Sequence, residues 1–328
     1  MHIQSLRGLA CLLLVLFHVV GDTPDAGLRL PLDHPLQLFN QVLSYVRMPL
    51  FGCIAGYVYA LRPCGAEWPV FLRSKARRLL LPLLTVGSVF AALQAVTPGV
   101  NENSQAPWEL LVLPKAHFWF LQALFLVFAV TVVLERLGLL RTAARALLMA
   151  ALAAIVLMAA KPPAWFSADG ALYLLPYFLL GVAARHSPPL PRWLLAAMLL
   201  ALAAGTAAVL ASEQAVWPRN SAVSIALGAG ATWLLIFLPW RQRVLAALGG
   251  ASYAIFLFHV FFTAASRIAL ERLGVEETAV LVAAGMLAGV AGPMLVERIV
   301  LRSATAGTLL LGNGAARRRA PRTLESAA

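Results

Sequence analysis

Long, unbroken apolar runs recur from one end of the chain to the other. They are solid rather than alternating, which argues for helices, because a lipid-facing barrel strand would alternate apolar and polar residues. A helix needs roughly 20 residues to cross about 30 Å of hydrocarbon. On that measure the pattern predicts spans at about 6–21, 36–61, 79–97, 117–134, 144–160, 171–184, 193–212, 221–239, 250–270 and 278–297. The first and sixth are short. The predicted fold class is therefore an all-α polytopic membrane protein of about ten transmembrane helices. Residues 1–302 form the transmembrane domain in this reading, and 303–328 a basic, disordered cytoplasmic tail carrying Gly312-Asn313-Gly314 and Arg317-Arg318-Arg319. The longest connection, about 98–116, is polar, with Pro98-Gly99 and Pro107, and is too short to be a domain. No internal repeat is visible, which weighs against repeat-built transporters.

Composition agrees with that picture. Of the 328 residues, 61% are hydrophobic and 12% charged, and the mean hydropathy is +0.82. A soluble domain would carry about twice that charged fraction. Both a cytosolic enzyme and a disordered chain are excluded. Cys11, Cys53 and Cys64 lie in or beside apolar segments at no metal-ligand spacing, so they read as small apolar residues, with neither a disulfide framework nor a metal site. Arg7 followed by the run Leu9 to Val20 resembles a signal peptide in outline. No small-x-small cleavage site follows it, so the segment is expected to stay as the first span.

A net charge of +12 would suggest nucleic acid in a soluble protein. Here the distribution explains it. Alternate connections, Arg7 and the C-terminal tail hold 19 of the 26 basic residues, and the opposite connections hold five. By the positive-inside rule both termini are expected in the cytoplasm. No nucleic-acid partner is implied.

Ionisable residues within spans are costly and usually face an interior cavity. Arg7 and His18 are eleven residues apart, which brings them within about 20° of one bearing and separates them by roughly 16 Å along a helix. One stripe of the first helix thus runs from an anion-binding group to a proton acceptor. The plainer readings are a positive-inside anchor for Arg7 and a packing hydrogen bond for His18. In the second span, Arg47 precedes Pro49, Gly52 and Gly56. The glycines read as close helix packing, Pro49 as a kink around a cavity, and Arg47 as the functional candidate. Arg73, Lys75, Arg77 and Arg78 abut the third span. They are topogenic in the plainer reading, and would also hold a polyphosphate ligand by charge-assisted hydrogen bonds. His117 opens the fourth span near the depth of His18. His259, after Ser252-Tyr253 in the ninth, fits a hydrogen-bonding role as well as a catalytic one. Arg267 also falls inside that span.

Several of these segments together resemble the bacterial integral-membrane acyltransferase-3 family. Ser5-Leu6-Arg7-Gly8-Leu9-Ala10 with His18 resembles its opening motif, and Met48-Pro49-Leu50-Phe51 to Gly56-Tyr57 its second-helix motif. Lys75-Ala76-Arg77-Arg78-Leu79 through Pro82 is similar to its basic motif. His117-Phe118-Trp119-Phe120-Leu121 and Ser252-Tyr253 through His259 resemble two further landmarks, in order over roughly residues 3–300. Two departures stand out. Phe51-Gly52 and Ala55-Gly56 stand where the family usually has Phe-Phe and Ser-Gly. Lys75 stands where the family has an arginine, keeping the charge but losing the bidentate fork.

The resemblance implies an O-acyltransferase of the bacterial cytoplasmic (inner) membrane. It would move an acyl group, most often acetyl, from cytoplasmic acetyl-CoA to a hydroxyl of an envelope glycan or lipid-linked sugar. Acyl-CoA would be a donor substrate and not a permanently bound cofactor. In that scheme His18 removes the acceptor's proton, with Arg7, Arg47 and His117 as further catalytic candidates. Arg7, Arg73, Lys75, Arg77 and Arg78 would hold the CoA phosphates, Arg47 would steady the oxyanion, and His117 would orient the acceptor or act as a second base. Direct transfer and an acyl-histidine intermediate stay open, as do a succinyl donor, a homo-oligomer and a polysaccharide-assembly complex. The alternative from another class is a transporter or flippase of a lipid-linked sugar, without covalent chemistry.

Overall fold

The structure is a computed structural model that describes residues 2–21, 23, 26–97, 109, 112–211 and 217–313. Most of the 98–116 connection and the arginine-rich end of the tail lie outside the described residues. Among the described residues there are twelve α-helices and no strand. They are α1 His2–Val20, α2 Pro35–Leu61, α3 Trp68–Val96, α4 Trp119–Arg136, α5 Ala143–Ala159 and α6 Ala168–His186, followed by α7 Arg192–Leu210, α8 Ala222–Phe237, α9 Arg243–Gly250, α10 Ser252–Arg272, α11 Thr278–Val300 and α12 Ala304–Leu311.

Each of the ten apolar runs falls on one of these helices. Eight helices are long and apolar enough to cross a membrane, whereas α5 and α8 are shorter, at 17 and 16 residues. At 1.5 Å per residue those two reach about 24–26 Å, slightly less than the hydrocarbon thickness. Helices α7 and α11 are mostly unburied, although both are strongly apolar. Leu199, Leu200, Leu287 and Leu295 stand exposed on them. Such surfaces are stable only where the surroundings are lipid. This is a multi-pass membrane protein.

The helix ends follow local chemistry. Thr142 and Ser221 cap α5 and α8 by accepting the backbone N–H of Arg145 and Ser224. The residues of α12 were expected in the disordered tail, yet they form a helix. Ser303 caps its start, and Gly312 ends it in the left-handed conformation with φ 62°. The pattern missed α12 because eight residues are too few to span lipid. It missed α9, equally short, for the same reason.

The chain forms two compact units. The first comprises residues 1–40, 74–118 and 241–328, and the second 41–73 and 119–240, so α2 and α3 contribute to both. In the first unit α1 packs against α9, α10 and α11, and α10 pairs with α11. Two glycines set the α1–α9 distance: a Cβ on Gly8 would lie 2.0 Å from the Leu245 carbonyl oxygen, and one on Gly249 would lie 1.9 Å from that of Gln4. In the second unit α6 packs against α4, α5 and α8. There the Gly56 face meets the Phe178 carbonyl and Gly181 meets that of Cys53, which bears out the packing role read for Gly56, whereas a Cβ on Gly52 would make only ordinary contact, 3.4 Å from the Leu174 carbonyl oxygen. Helix α2 continues through Pro49. Pro49 offers no N–H to the Tyr45 carbonyl, and the backbone of Gly228 in α8 packs onto that oxygen. The three cysteines are free and buried, as expected of small apolar residues.

Candidate active site

In the first unit, three histidines that are far apart in sequence meet. His18 comes from the last turn of α1, His117 from the turn before α4, and His259 from the middle of α10. The ring centroids of His18 and His259 are 4.8 Å apart, those of His117 and His259 4.9 Å, and those of His18 and His117 5.8 Å. His117 and His259 are buried, and His18 is half-buried. Local backbone helps to aim His117, because the preceding Ala116 adopts φ 42°, a left-handed conformation that costs a non-glycine residue about 1–2 kcal/mol. Phe90, Phe118 and Phe256 wall its ring at 5.6, 4.1 and 5.6 Å between centroids.

Backbone carbonyls hold two of the three rings. Nδ1 of His259 lies 2.9 Å from the carbonyl oxygens of both Ile255 and Phe256, one turn back on its own helix. Nε2 of His117 lies 3.4 Å from the Leu257 carbonyl oxygen. A carbonyl only accepts, so each of these ring nitrogens is the donor, and the other nitrogen of each ring carries the lone pair. Those two atoms, His259 Nε2 and His117 Nδ1, are buried with no hydrogen-bond partner among the described residues.

A second cluster lies at the other end of the same helices. Arg7 occupies the face of α1 that carries His18, and because α1 is continuous from His2 to Val20 the roughly 16 Å separation read from the sequence stands. Lys75, on α3, is close enough to feel the charges of Arg78 and Arg7. The Arg78 guanidinium has structural tasks as well. It sits 4.3 Å from the centre of the Tyr253 ring on α10 and donates to the Asn313 side chain at 2.9 Å, just past α12. The Tyr253 hydroxyl donates to the Arg78 carbonyl.

The structure sorts the basic run of α3 into two faces. Lys75 and Arg78, three residues apart, are half-buried, with Lys75 near enough to feel the charge of Arg7, whereas Arg73 and Arg77, four apart on the opposite face, are exposed. Arg47 belongs to the second unit, where it is 5% exposed. Its charge reaches Tyr173 there, together with that of Arg219, which pairs with Asp169 and lies over the Tyr173 ring. Arg267 forms an i,i+4 ion pair with Glu271 at 3.0 Å. The residue that sequence reasoning undervalued is His259. Its signal was an ionisable side chain in the middle of an apolar span, but nothing along the chain said which other histidines it would meet. Among the described residues no group of His, Cys, Asp and Glu is arranged to hold a metal ion.

Comparison with known proteins matches residues 3–298 to the model of the acyltransferase-3 family, described as an acyltransferase domain. No curated protein and no solved structure matches the chain. The match takes in α2 to α10 and nearly all of α1 and α11, and contains Arg7, Lys75, Arg78 and the three histidines, so the chain belongs to the acyltransferase-3 family and is a membrane acyltransferase.

Proposed function

We propose that this protein transfers an acyl group, in the first instance acetyl, from cytoplasmic acyl-CoA to a hydroxyl of an envelope glycan or lipid-linked sugar. The observation that carries the reading is the pairing on one helix face of a cationic end, Arg7 beside Lys75 and Arg78, with a buried histidine cluster roughly 16 Å away. A CoA thioester has matching parts: a polyphosphate head, a thin pantetheine arm and a reactive carbonyl at the far tip. The charge bias of the connections supports a cytoplasmic position for the cationic end, on the side where acyl-CoA is made.

The chemistry is acyl substitution. The acceptor oxygen attacks the thioester carbonyl as His18 takes its proton. The tetrahedral intermediate then expels the CoA thiolate: the carbon–sulfur bond breaks, the new carbon–oxygen bond remains, and His18 returns the proton to sulfur. Lys75, Arg78 and Arg7 hold the phosphates by charge. His117 orients the acceptor hydroxyl.

The test is mass spectrometry of envelope glycans and lipid-linked sugars from cells carrying the wild type, His18→Ala or no protein, with membrane levels matched by blot. An acyl adduct present only with the wild type supports the reading and identifies the acceptor. An adduct that survives His18→Ala removes this histidine as the base. Absence of any adduct, with precursor accumulating in cells that lack the protein, points to transport instead.

A further inference from the structure

The scheme above gives work to His18 and His117 and leaves His259 unused. Yet His259 is the most enclosed of the three, with no exposed surface. Its ring orientation is set by its own helix, because Nδ1 donates to the Ile255 and Phe256 carbonyls. That turns Nε2, with its lone pair, away from the helix backbone, and the His18 ring is a direct neighbour of the His259 ring at 4.8 Å between centroids. His117, through its bond to the Leu257 carbonyl, leaves Nδ1 as a second lone pair in the same cluster.

Two acceptors cannot bond each other. With rings 4.9 Å apart, His117 and His259 place side by side two buried acceptors that have no partner among the described residues, an arrangement that is costly unless a donor enters. The third ring can be that donor. An imidazole that has just taken a proton has two N–H groups and no lone pair. The neighbours of His18 therefore complement the state it reaches in mid-reaction better than its resting state, which is what electrostatic preorganisation requires.

We propose that His259 is a positioning residue, whose Nε2 accepts an N–H of His18 while His18 carries the proton taken from the acceptor hydroxyl. No bond to substrate is involved. The proton goes from the acceptor oxygen to His18, is held there by the His259 lone pair, and leaves with the CoA sulfur. The inference rests on the acyl-transfer reading and assigns a role within it.

The experiment compares His259→Gln with His259→Met in full-length protein reconstituted in lipid nanodiscs. Only Gln keeps an oxygen acceptor, and the two side chains have nearly the same length and volume. Acetyl-CoA is the donor, an envelope glycan and lipid extract from cells lacking the protein supplies the acceptor, and release of free thiol is followed. The Met variant is expected to lose about 100-fold in kcat, with KM for acetyl-CoA held within about twofold. The Gln variant is expected to recover most of that loss. Equal rates in the Gln and Met variants, or a Met variant as fast as the wild type, overturn the inference and assign His259 to packing. If the Met protein is not recovered as a single species, His259→Phe takes its place, keeping the ring without the lone pair. A wild type that releases no thiol, under conditions where the protein is folded, overturns the acyl-transfer reading itself, so the two failures are distinct.

Discussion

At one end of α1, Arg7 stands with Lys75 and Arg78, three like charges on half-exposed side chains. At the other end, His18 stands with two buried rings held by backbone carbonyls at 2.9 and 3.4 Å. The first cluster gains nothing from mutual contact, since like charges repel. It persists because other contacts hold one of its members: the Arg78 guanidinium lies over the Tyr253 ring of α10 and donates to Asn313, just past α12. The second cluster is short of protons instead of anions, and its geometry is imposed by main chain that cannot swing away. One end is thus suited to capture a charged group over a range of positions, and the other to meet one reacting atom in one place. A binding end should show itself in KM and in salt dependence, a reacting end in kcat.

The largest effect expected from that contrast is at the reacting end. His18→Ala should lower the rate of acyl transfer by about 1,000-fold or more while KM for acetyl-CoA stays near the wild-type value. Steady-state kinetics in nanodiscs check this, and a rise in KM with kcat preserved would move His18 to the binding end. Next comes Lys75→Glu, which reverses a charge beside Arg7 and Arg78. It should raise KM for acetyl-CoA about tenfold and leave kcat within about threefold, with no effect on acetyl-pantetheine, which lacks the polyphosphate head. Wild-type KM for acetyl-CoA, but not for acetyl-pantetheine, should also climb with ionic strength.

A substitution between the ends should disturb both. Gly8→Ala places a methyl 2.0 Å from the Leu245 carbonyl oxygen, so α1 must move off α9. The expected cost is about 1–3 kcal/mol of stability, read as a lower midpoint of thermal aggregation, with KM and kcat both worsened because α1 carries Arg7 and His18. The smallest effect belongs outside both clusters. Arg267→Gln breaks an ion pair with a half-exposed glutamate and should change stability by less than about 0.5 kcal/mol, with kinetics unaltered. A large kinetic change there would mean that the functional residues of α10 extend beyond His259.

Much of this was legible along the chain. Solid apolar runs are an unambiguous sign of membrane helices, and each run lies on an observed helix. The alignment of Arg7 with His18 follows from helical period alone, and α1 is a single helix through both residues. Boundaries were less legible where polar residues are helix-compatible. Helix α3 begins at Trp68, eleven residues before the apolar run predicted for it, because Arg, Lys and Ser on a helix turned towards water do not interrupt it. The division of the basic run into a half-buried face and an exposed one needed only that earlier start. The prediction that 303–328 is an irregular tail missed a capped eight-residue helix, for which Ser303 and Gly312 were the available marks.

The sequence alone determined that the chain spans a membrane many times, where its spans run, that Arg7 and His18 share a face, and which family its motifs resemble. Each of these rests on hydrophobicity, local periodicity or short motifs, which are properties of neighbouring residues. Tertiary structure decided that His117 and His259 are the rings that meet His18, and that Lys75 stands close enough to Arg7 to feel its charge. Those choices depend on how α1, α3 and α10 pack. That packing is set by contacts such as Gly8 on the Leu245 carbonyl, between residues whose separation along the chain carries no signal of their meeting.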